Sequence, residues 1–149
     1  MAITRMSVVG AAAVMLTATV GVGFAATTAS GSSAGHAERV VAQCRGQAAT
    51  IVGTSGADEI EGTNGRDVIA GLAGNDDIEA RGGNDLVCAG AGADDAEGKG
   101  GADRIFGNRG NDKLEGDRGN DRLVGGPGVD KAEGDAGNDV CIAEVTQRC

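Results

Sequence analysis

The fold of this chain is decided by the stretch from residue 107 to residue 124, which reads GNRGNDKLE followed by GDRGNDRLV. The same nine-residue pattern repeats ten times, without insertion or deletion, from Gly53 to Ile142. In every copy the fourth residue is Gly and the sixth is Asp. A fixed internal period of this kind predicts a repeat architecture, in which each copy forms the same small unit and stacks on its neighbours.

One apolar side chain recurs at the eighth position of each copy. A helix needs apolar residues every three or four positions, and an alternating strand needs them every two over a longer run, so neither fits alone. The pattern instead indicates a strand of about three residues followed by a tight turn, because Gly, Asp and Asn tolerate positive φ and bind their own backbone. The eighth residues are Ile60, Ile69, Ile78, Val87, Ala96, Ile105, Leu114, Leu123, Ala132 and Cys141.

The repeats resemble the RTX, or hemolysin-type, calcium-binding family, whose nonapeptide is Gly-Gly-x-Gly-x-Asp-x-apolar-x. The copy that opens with Gly125 and Gly126 carries the turn motif in full, most other copies relax the second Gly, and two open with Ala80 and Ala89. The resemblance covers residues 53–142. It implies an all-β fold, a parallel β-roll or β-solenoid in which two nonapeptides form one eighteen-residue coil and odd and even repeats form two parallel sheets.

The ninth position of the repeat supports two distinct sheets independently of the resemblance. It is Glu in every odd copy and apolar in every even copy, which is the alternation that two different outer faces would produce. Ten copies then make about five coils, or a rod roughly 24 Å long at the usual spacing between strands. The ninth residues are Glu61, Ala70, Glu79, Cys88, Glu97, Phe106, Glu115, Val124, Glu133 and Ile142.

The resemblance also implies that the sixth-position aspartates bind Ca²⁺ together with backbone carbonyls of the turns, and such hard oxygen ligands suit this ion. Each ion is expected between turns of successive coils on one edge, so that Asp58 pairs with Asp76 and so on to Asp121 with Asp139. This arrangement predicts up to about eight Ca²⁺ ions, with folding coupled to their binding because the acidic turns repel one another. The expected metal ligands are Asp58, Asp67, Asp76, Asp85, Asp94, Asp103, Asp112, Asp121, Asp130 and Asp139.

The N-terminal region is a different kind of sequence. Residues 1–25 combine a short basic start with an apolar stretch that ends in small residues, which predicts a secretory signal peptide and a secreted protein. An uncleaved membrane anchor is the alternative, although its Gly and Thr content makes stable membrane insertion unexpected. Residues 26–43 are expected to be a flexible tether, and His36 within it has no His or Cys at metal-binding spacing.

Caps are expected at both ends of the solenoid, where an open end would expose the core and a strand edge. Residues 44–52 place Ile51 and Val52 at the eighth and ninth positions of an incomplete copy, and residues 143–149 form the other cap. In an exported chain the four Cys residues are expected to form disulfides. Of three connectivities, we favour Cys44 with Cys88 and Cys141 with Cys149, which staple the caps to the roll; free buried thiols are the alternative.

Charge and composition narrow the function. The net charge of −9 argues against nucleic-acid binding and suits cation capture. A filled roll offers no catalytic pocket, so no enzymatic activity is expected. A solvated acidic linker would share this composition, but a linker does not keep an apolar residue in register.

Three functions remain open at this point. The first is an extracellular calcium-binding protein. The second is an adhesion or partner-binding module that uses the apolar face of the even repeats, unless the tether or caps cover that face. The third is an ice-binding solenoid, which would need a flat Thr or Asn ladder where the odd face carries Glu59, Asp77, Asp95, Lys113 and Lys131.

Overall fold

The computed structural model of the protein describes residues 7–9 and 42–149, and every regular element in them is a β-strand. The remainder of the expected signal peptide and the expected tether up to residue 41, with His36, lie outside the described residues. Within those residues there is no helix of the length and apolarity that crossing a membrane requires.

Fifteen strands are present in the described part of the chain, and most are only two or three residues long because each nonapeptide gives most of its length to the turn. They are β1 (Ser7–Val9), β2 (Gln43–Cys44), β3 (Gln47–Ala48), β4 (Ile51–Val52), β5 (Glu59–Glu61), β6 (Val68–Ala73), β7 (Asp77–Glu79), β8 (Leu86–Ala91), β9 (Asp95–Glu97), β10 (Arg104–Arg109), β11 (Lys113–Glu115), β12 (Arg122–Val124), β13 (Lys131–Glu133), β14 (Val140–Ile142) and β15 (Val145–Gln147).

The strands form two parallel sheets that share one core. The odd sheet has the order β1-β5-β7-β9-β11-β13-β15, and the even sheet has the order β14-β12-β10-β8-β6-β4. Successive copies therefore alternate between the sheets, and two copies complete one coil. This arrangement confirms the expected all-β parallel β-roll of about five coils.

The register of both sheets follows from the unbroken period. Ile60 lies opposite Ile78, and Ile69 lies opposite Val87, so each residue pairs with the one eighteen positions later. The even strands β6, β8 and β10 are six residues long, longer than the three expected from the sequence. These three strands are longer because the first residues of the following turn are also in register with the neighbouring coil, so the backbone pairing between the strands continues into the turn.

The core is the column of eighth-position side chains that point between the two sheets. These residues are almost fully buried from Ile60 to Ala132, and Cys141 at the end of the column is partly buried. Ala80 and Ala89, which open the fourth and fifth copies, are also fully buried and belong to the same cluster. Burying one apolar side chain in each strand drives the two sheets together.

A short antiparallel hairpin, β2–β3, lies over the outer face of the even sheet. Cys44 of this hairpin is fully buried against Val68, Leu86 and Phe106, and it forms a disulfide with Cys88 at a Cα–Cα distance of 5.6 Å. The segment before Ile51 therefore folds back along this face, while Ile51 itself continues the even sheet opposite Ile69.

The C-terminal segment closes the other end of the roll. Strand β15 pairs with β13 and places Val145 opposite Lys131, an offset of fourteen residues in place of eighteen. The connection is shorter because residues after Ile142 lack the Gly and Asp that build the regular turn. A second disulfide joins Cys141 to Cys149, so the structure contains both pairings favoured from the sequence.

Candidate metal centre

The fourth-position glycines allow the turns to stack. Gly92 has a φ of 145°, in the region that L side chains rarely adopt. A Cβ built on Gly92 would overlap the carbonyl oxygen of Gly74, one coil earlier, and Gly110 has the same relation to Gly92. Only Gly fits here, and its absence of a side chain brings the backbones of successive turns into contact along each edge of the roll.

The sixth-position aspartates form a continuous ladder on each edge. The backbone N–H of each Asp from Asp58 to Asp121 donates a hydrogen bond to Oδ1 of the Asp eighteen residues later, at 2.7 to 3.0 Å. The structure thus joins, as neighbouring rungs, the same pairs that the sequence predicted to share ions, from Asp58 with Asp76 to Asp121 with Asp139. One edge carries Asp58, Asp76, Asp94, Asp112 and Asp130, and the other carries Asp67, Asp85, Asp103, Asp121 and Asp139.

The second carboxylate oxygen of most of these aspartates is buried without a partner. A buried oxygen with no hydrogen bond costs about 1–3 kcal/mol, and more when it is charged. This desolvation penalty applies to seven of the aspartates, and a cation bound beside each Oδ2 would remove it. The affected atoms are Oδ2 of Asp76, Asp85, Asp94, Asp103, Asp112, Asp121 and Asp130.

The first residue of the turn lies close against this oxygen, and a side-chain atom on the glycines at this position would be crowded. A Cβ built on Gly98 would lie 2.6 Å from Asp103 Oδ2 and 2.9 Å from the carbonyl oxygen of Gly116. A Cβ on Gly116 would lie 2.6 Å from Asp121 Oδ2 and 3.0 Å from the carbonyl oxygen of Gly134. A carboxylate oxygen and a backbone carbonyl of the next coil therefore converge on one point, with the ligand chemistry that Ca²⁺ prefers.

The carboxylates alone do not form a metal cluster. Among residues 42–149, no three His, Cys, Asp or Glu side chains lie close enough together to hold an ion. Backbone carbonyls would therefore have to supply several of the ligands of any bound ion, and the close stacking of the glycine-rich turns brings carbonyls of successive coils together.

Ala80 and Ala89 place a methyl group at the first position of the turn, where the other copies have Gly. They stand in the copies that contain Asp85 and Asp94, and both are fully buried. Oδ2 of each of these two aspartates lacks a hydrogen bond, like Oδ2 in the neighbouring copies.

In the first two turns, a threonine donates hydrogen bonds to Oδ2 of the sixth-position aspartate. The backbone N–H and the hydroxyl of Thr54 donate to Asp58 Oδ2, at 2.5 and 3.0 Å. Thr63 does the same to Asp67 Oδ2, at 2.7 and 2.8 Å. These two carboxylates have hydrogen-bond donors in the position where later turns leave the oxygen without one.

Burial alters the protonation of the ladder. It raises the pKa of Asp103 to about 7 and the pKa values of Asp85 and Asp112 to about 6, against the lowering effect of the backbone hydrogen bond that each accepts. Burial likewise raises the pKa values of Asp76, Asp94 and Asp121. Without a compensating cation, these carboxyl groups resist ionisation in the folded roll.

Two further contacts of the edges were missed from the sequence. At the fifth position, Asn75 Oδ1 accepts the backbone N–H of Ala93 at 2.9 Å, and Asn84, Asn111 and Asn120 repeat this contact. The recurrence of Asn at this position was the available signal. At the end of the roll, Glu144 Oε2 accepts the N–H of Asp130 at 2.9 Å, and so replaces the absent next Asp.

Comparison with known proteins agrees with this geometry. A scan against protein-family models matches the RTX calcium-binding nonapeptide repeat (4 copies) at residues 52–87, 89–123 and 115–144, which together span more than half of the chain. A search of the curated proteins and a search of the solved structures each returned no match.

Proposed function

Because the chain belongs to the family of RTX calcium-binding nonapeptide repeats, we propose that its turns bind several Ca²⁺ ions and that the roll folds as they bind. The observation that carries the proposal is the repeated buried Asp Oδ2, without a hydrogen bond, beside a carbonyl of the next coil. A roll of such repeats is a calcium-binding structural fold and not a typical enzyme scaffold, and we assign no reaction to it.

The geometry favours fewer ions than the eight expected from the sequence. Five turns combine an Asp Oδ2 that lacks a hydrogen bond with a first-position Gly, and their aspartates are Asp76, Asp103, Asp112, Asp121 and Asp130. The fourth and fifth copies carry the methyl groups of Ala80 and Ala89, and the first two copies carry Thr54 and Thr63. We therefore propose five principal sites. In each, the bound ion supplies positive charge that compensates the buried carboxylate.

Folding should depend on calcium because the ladder concentrates acidic groups. In chelator, the ionised carboxylates would be buried close to one another without compensation, so the unfolded chain is favoured. We expect β-structure to appear cooperatively at about 0.1–1 mM Ca²⁺, the range of extracellular calcium-binding modules.

A calcium titration of the full chain, followed by far-ultraviolet circular dichroism, tests this proposal. Magnesium is the matched control, since its smaller ion and stricter octahedral geometry suit a carbonyl-rich turn poorly. Identical spectra in chelator and in calcium would refute calcium-coupled folding. A transition of equal size at the same Mg²⁺ concentration would refute a calcium-selective site.

We also propose that the protein is exported. RTX repeats are typical of secreted proteins, and two disulfides suit an oxidising compartment. In this proposal residues 1–25 are removed as a signal peptide. Intact-mass measurement of protein from the medium tests it, because retention of Met1 or the presence of free thiols would contradict it.

A further inference from the structure

The two outer faces of the roll have opposite character. On the odd strands from β5 to β13, eight of the ten outward seventh and ninth positions are acidic and the other two are Lys. On the even strands from β6 to β14, none of the corresponding positions is acidic. The even face carries Val68, Ala70, Leu86, Cys88, Arg104, Phe106, Arg122, Val124, Val140 and Ile142.

The hairpin covers only the first half of the even face. Val68, Leu86 and Phe106 are buried beneath it, so the apolar face expected from the sequence is smaller than its ten positions suggest. Beyond the hairpin, Val140 and Ile142 remain about half exposed, at 48% and 51%. The uncovered area begins at Val124 and continues to the end of the sheet.

Two arginines stand side by side at the border of this uncovered area. Arg104 and Arg122 are direct neighbours in the register of β10 and β12, and both are exposed. Like charges directly opposite each other in neighbouring strands destabilise a sheet. Neither guanidinium has a carboxylate of the described residues within salt-bridge distance.

The odd face provides a direct comparison. Lys113 and Lys131 are also neighbours in register and occupy the same seventh position of the repeat. Each is neutralised: Lys113 by Asp95 at 3.1 Å and by Glu115 at 2.9 Å, and Lys131 by Glu133 at 3.4 Å. Among residues 42–149, the lysine pair therefore has acidic partners and the arginine pair has none.

A groove runs from the arginine pair to the hairpin. Its volume is about 330 Å³, and its lining includes Arg104, Arg122, Gln47 and Val124. A third guanidinium, that of Arg45, lies 3.9 Å above the ring of Phe106 and forms its far wall. An adjoining hollow of about 280 Å³ adds Arg109. Cationic groups thus surround a floor whose accessible apolar residue is Val124, since Phe106 lies beneath Arg45.

We propose that this groove docks an extended acidic segment of a partner protein, in which carboxylates alternate with apolar side chains. On β10 and β12 the arginines form one row. Val124 and Ile142, at the ninth positions of β12 and β14, form the accessible part of a parallel row beside it. An extended segment presents alternate side chains to opposite sides, so its carboxylates meet the arginine row while its apolar groups meet the other. Guanidinium groups bind carboxylates through two parallel hydrogen bonds.

Other occupants match the groove less well. A simple polyanion satisfies the arginines but leaves the apolar row uncovered. A second copy of the chain would present its acidic face, where every outward seventh and ninth position from β5 to β13 is charged, so it would also leave the apolar row uncovered. The proposal depends on the folded even sheet and not on the number of bound ions.

The test measures binding of a fluorescent peptide of alternating Glu and Leu to the full chain in calcium-containing buffer. We expect the double variant Arg104→Glu/Arg122→Glu to bind at least about tenfold more weakly, since two charge-assisted contacts are lost and two repulsions are gained. The matched control is Lys113→Glu/Lys131→Glu, which makes the same charge change at the same repeat positions on the opposite sheet, and we expect it to bind like the parent. Circular dichroism checks that both variants fold.

Several outcomes overturn the proposal. Failure of the folded parent to bind the peptide does so directly, and an equal loss in the lysine variant would show a general charge effect. Equal binding of poly-Glu would identify a polyanion site. Concentration-dependent self-association of the parent that the arginine variant abolishes would identify a second copy as the occupant.

Discussion

At the scale of single residues, the first position of the turn is where the copies differ beside the aspartate ladder. In the sixth copy it is Gly98, which lies close to Asp103 Oδ2 and the Gly116 carbonyl, whereas the fourth and fifth copies have the buried Ala80 and Ala89. None of these three residues requires a left-handed backbone. An exchange of Gly and Ala at this position therefore leaves the backbone conformation allowed and changes the crowding around the neighbouring oxygens.

This contrast predicts the effect of exchanging the two residue types. Ala80→Gly/Ala89→Gly should raise the number of bound Ca²⁺ ions by up to two, because each change opens a space beside Asp85 or Asp94. Gly98→Ala should lower the number by one, because its methyl group would crowd Asp103 Oδ2 and the Gly116 carbonyl oxygen, at 2.6 and 2.9 Å from the added Cβ. Native mass spectrometry in calcium measures these numbers.

Replacing Ala by Gly also increases the backbone entropy that is lost on folding. The control for this effect is Ala93→Gly/Ala102→Gly, at exposed fifth positions, which should leave the number of bound ions unchanged. An unchanged ion number in all three variants would contradict the role assigned to the first position.

The ladder of buried aspartates also predicts how pH acts on the metal-free roll. The pKa of Asp103 is about 7 in the folded roll, and those of Asp85 and Asp112 are about 6, all above the ordinary value of 3.8. Between pH 3.8 and about 7 the folded state binds more protons than the unfolded chain, so the stability of the metal-free roll falls as pH rises through this range. In chelator, β-structure measured by circular dichroism should be greater at about pH 5 than at about pH 8.

Calcium should reverse this preference, because the ion binds the ionised carboxylates. The calcium midpoint should therefore move to higher concentration on acidification. Asp103→Asn is the matched variant: it keeps an Oδ1 acceptor for the Asp85 N–H and stays neutral, so it should reduce the pH dependence in chelator. A metal-free roll that becomes more stable as pH rises would contradict the raised pKa values.

At the scale of elements, the sequence predicted those parts whose position follows from the period. Ile51 was placed in register with the even sheet by spacing alone, and it pairs with Ile69 as expected. The favoured Cys44–Cys88 pairing already required Cys44 to lie on the even face, as it does. The antiparallel hairpin around it was not predicted, because residues 42–49 carry no repeat. The length of the even strands was underestimated for the opposite reason: the period also stacks the turn backbones.

The hairpin should act as a removable cover. Replacing Cys44 and Cys88 by Ser should destabilise the calcium-bound roll by about 2–4 kcal/mol. It should also increase binding of a hydrophobic dye, because Val68, Leu86 and Phe106 lose their cover. The core between the sheets is a separate cluster, so calcium-induced circular dichroism should be retained. Thermal unfolding and dye fluorescence measure the two effects.

The corresponding control replaces Cys141 and Cys149 by Ser. That bridge spans eight residues in sequence, against forty-four for the first, so its loss should cost about 1.5 kcal/mol less in the chain-entropy account. It also covers none of Val68, Leu86 and Phe106. Equal dye binding in the two variants would mean that the hairpin stays in place without its disulfide.

At the scale of the whole molecule, the period was sufficient to predict the fold, because stacking depends on residues that recur in every copy and are visible in the sequence. The number of ion sites stays a prediction. In our proposal it depends on what lies beside each carboxylate, where Thr54 and Ala80 differ from the other turns without disturbing the stack. The charge difference between the two faces depends on adding side chains across five coils, and a net charge of −9 conceals it.

The positions of the two disulfides limit how far the roll can be stretched. Under a force applied between residues 44 and 149, the segments closed by Cys44–Cys88 and Cys141–Cys149 transmit tension through their sulfur bridges and cannot lengthen. Only the stretch from Cys88 to Cys141 can unwind, and at about 3.4 Å per extended residue it reaches about 180 Å.

With both bridges reduced, the span from Cys44 to Cys149 reaches about 360 Å. Single-molecule force spectroscopy in calcium should show extensible lengths of this order for the oxidised and reduced forms. An oxidised chain that extends as far as the reduced one would contradict the pairing. The two disulfides therefore set an upper limit on the extension of the oxidised roll, because only the coils between Cys88 and Cys141 can unfold under the force.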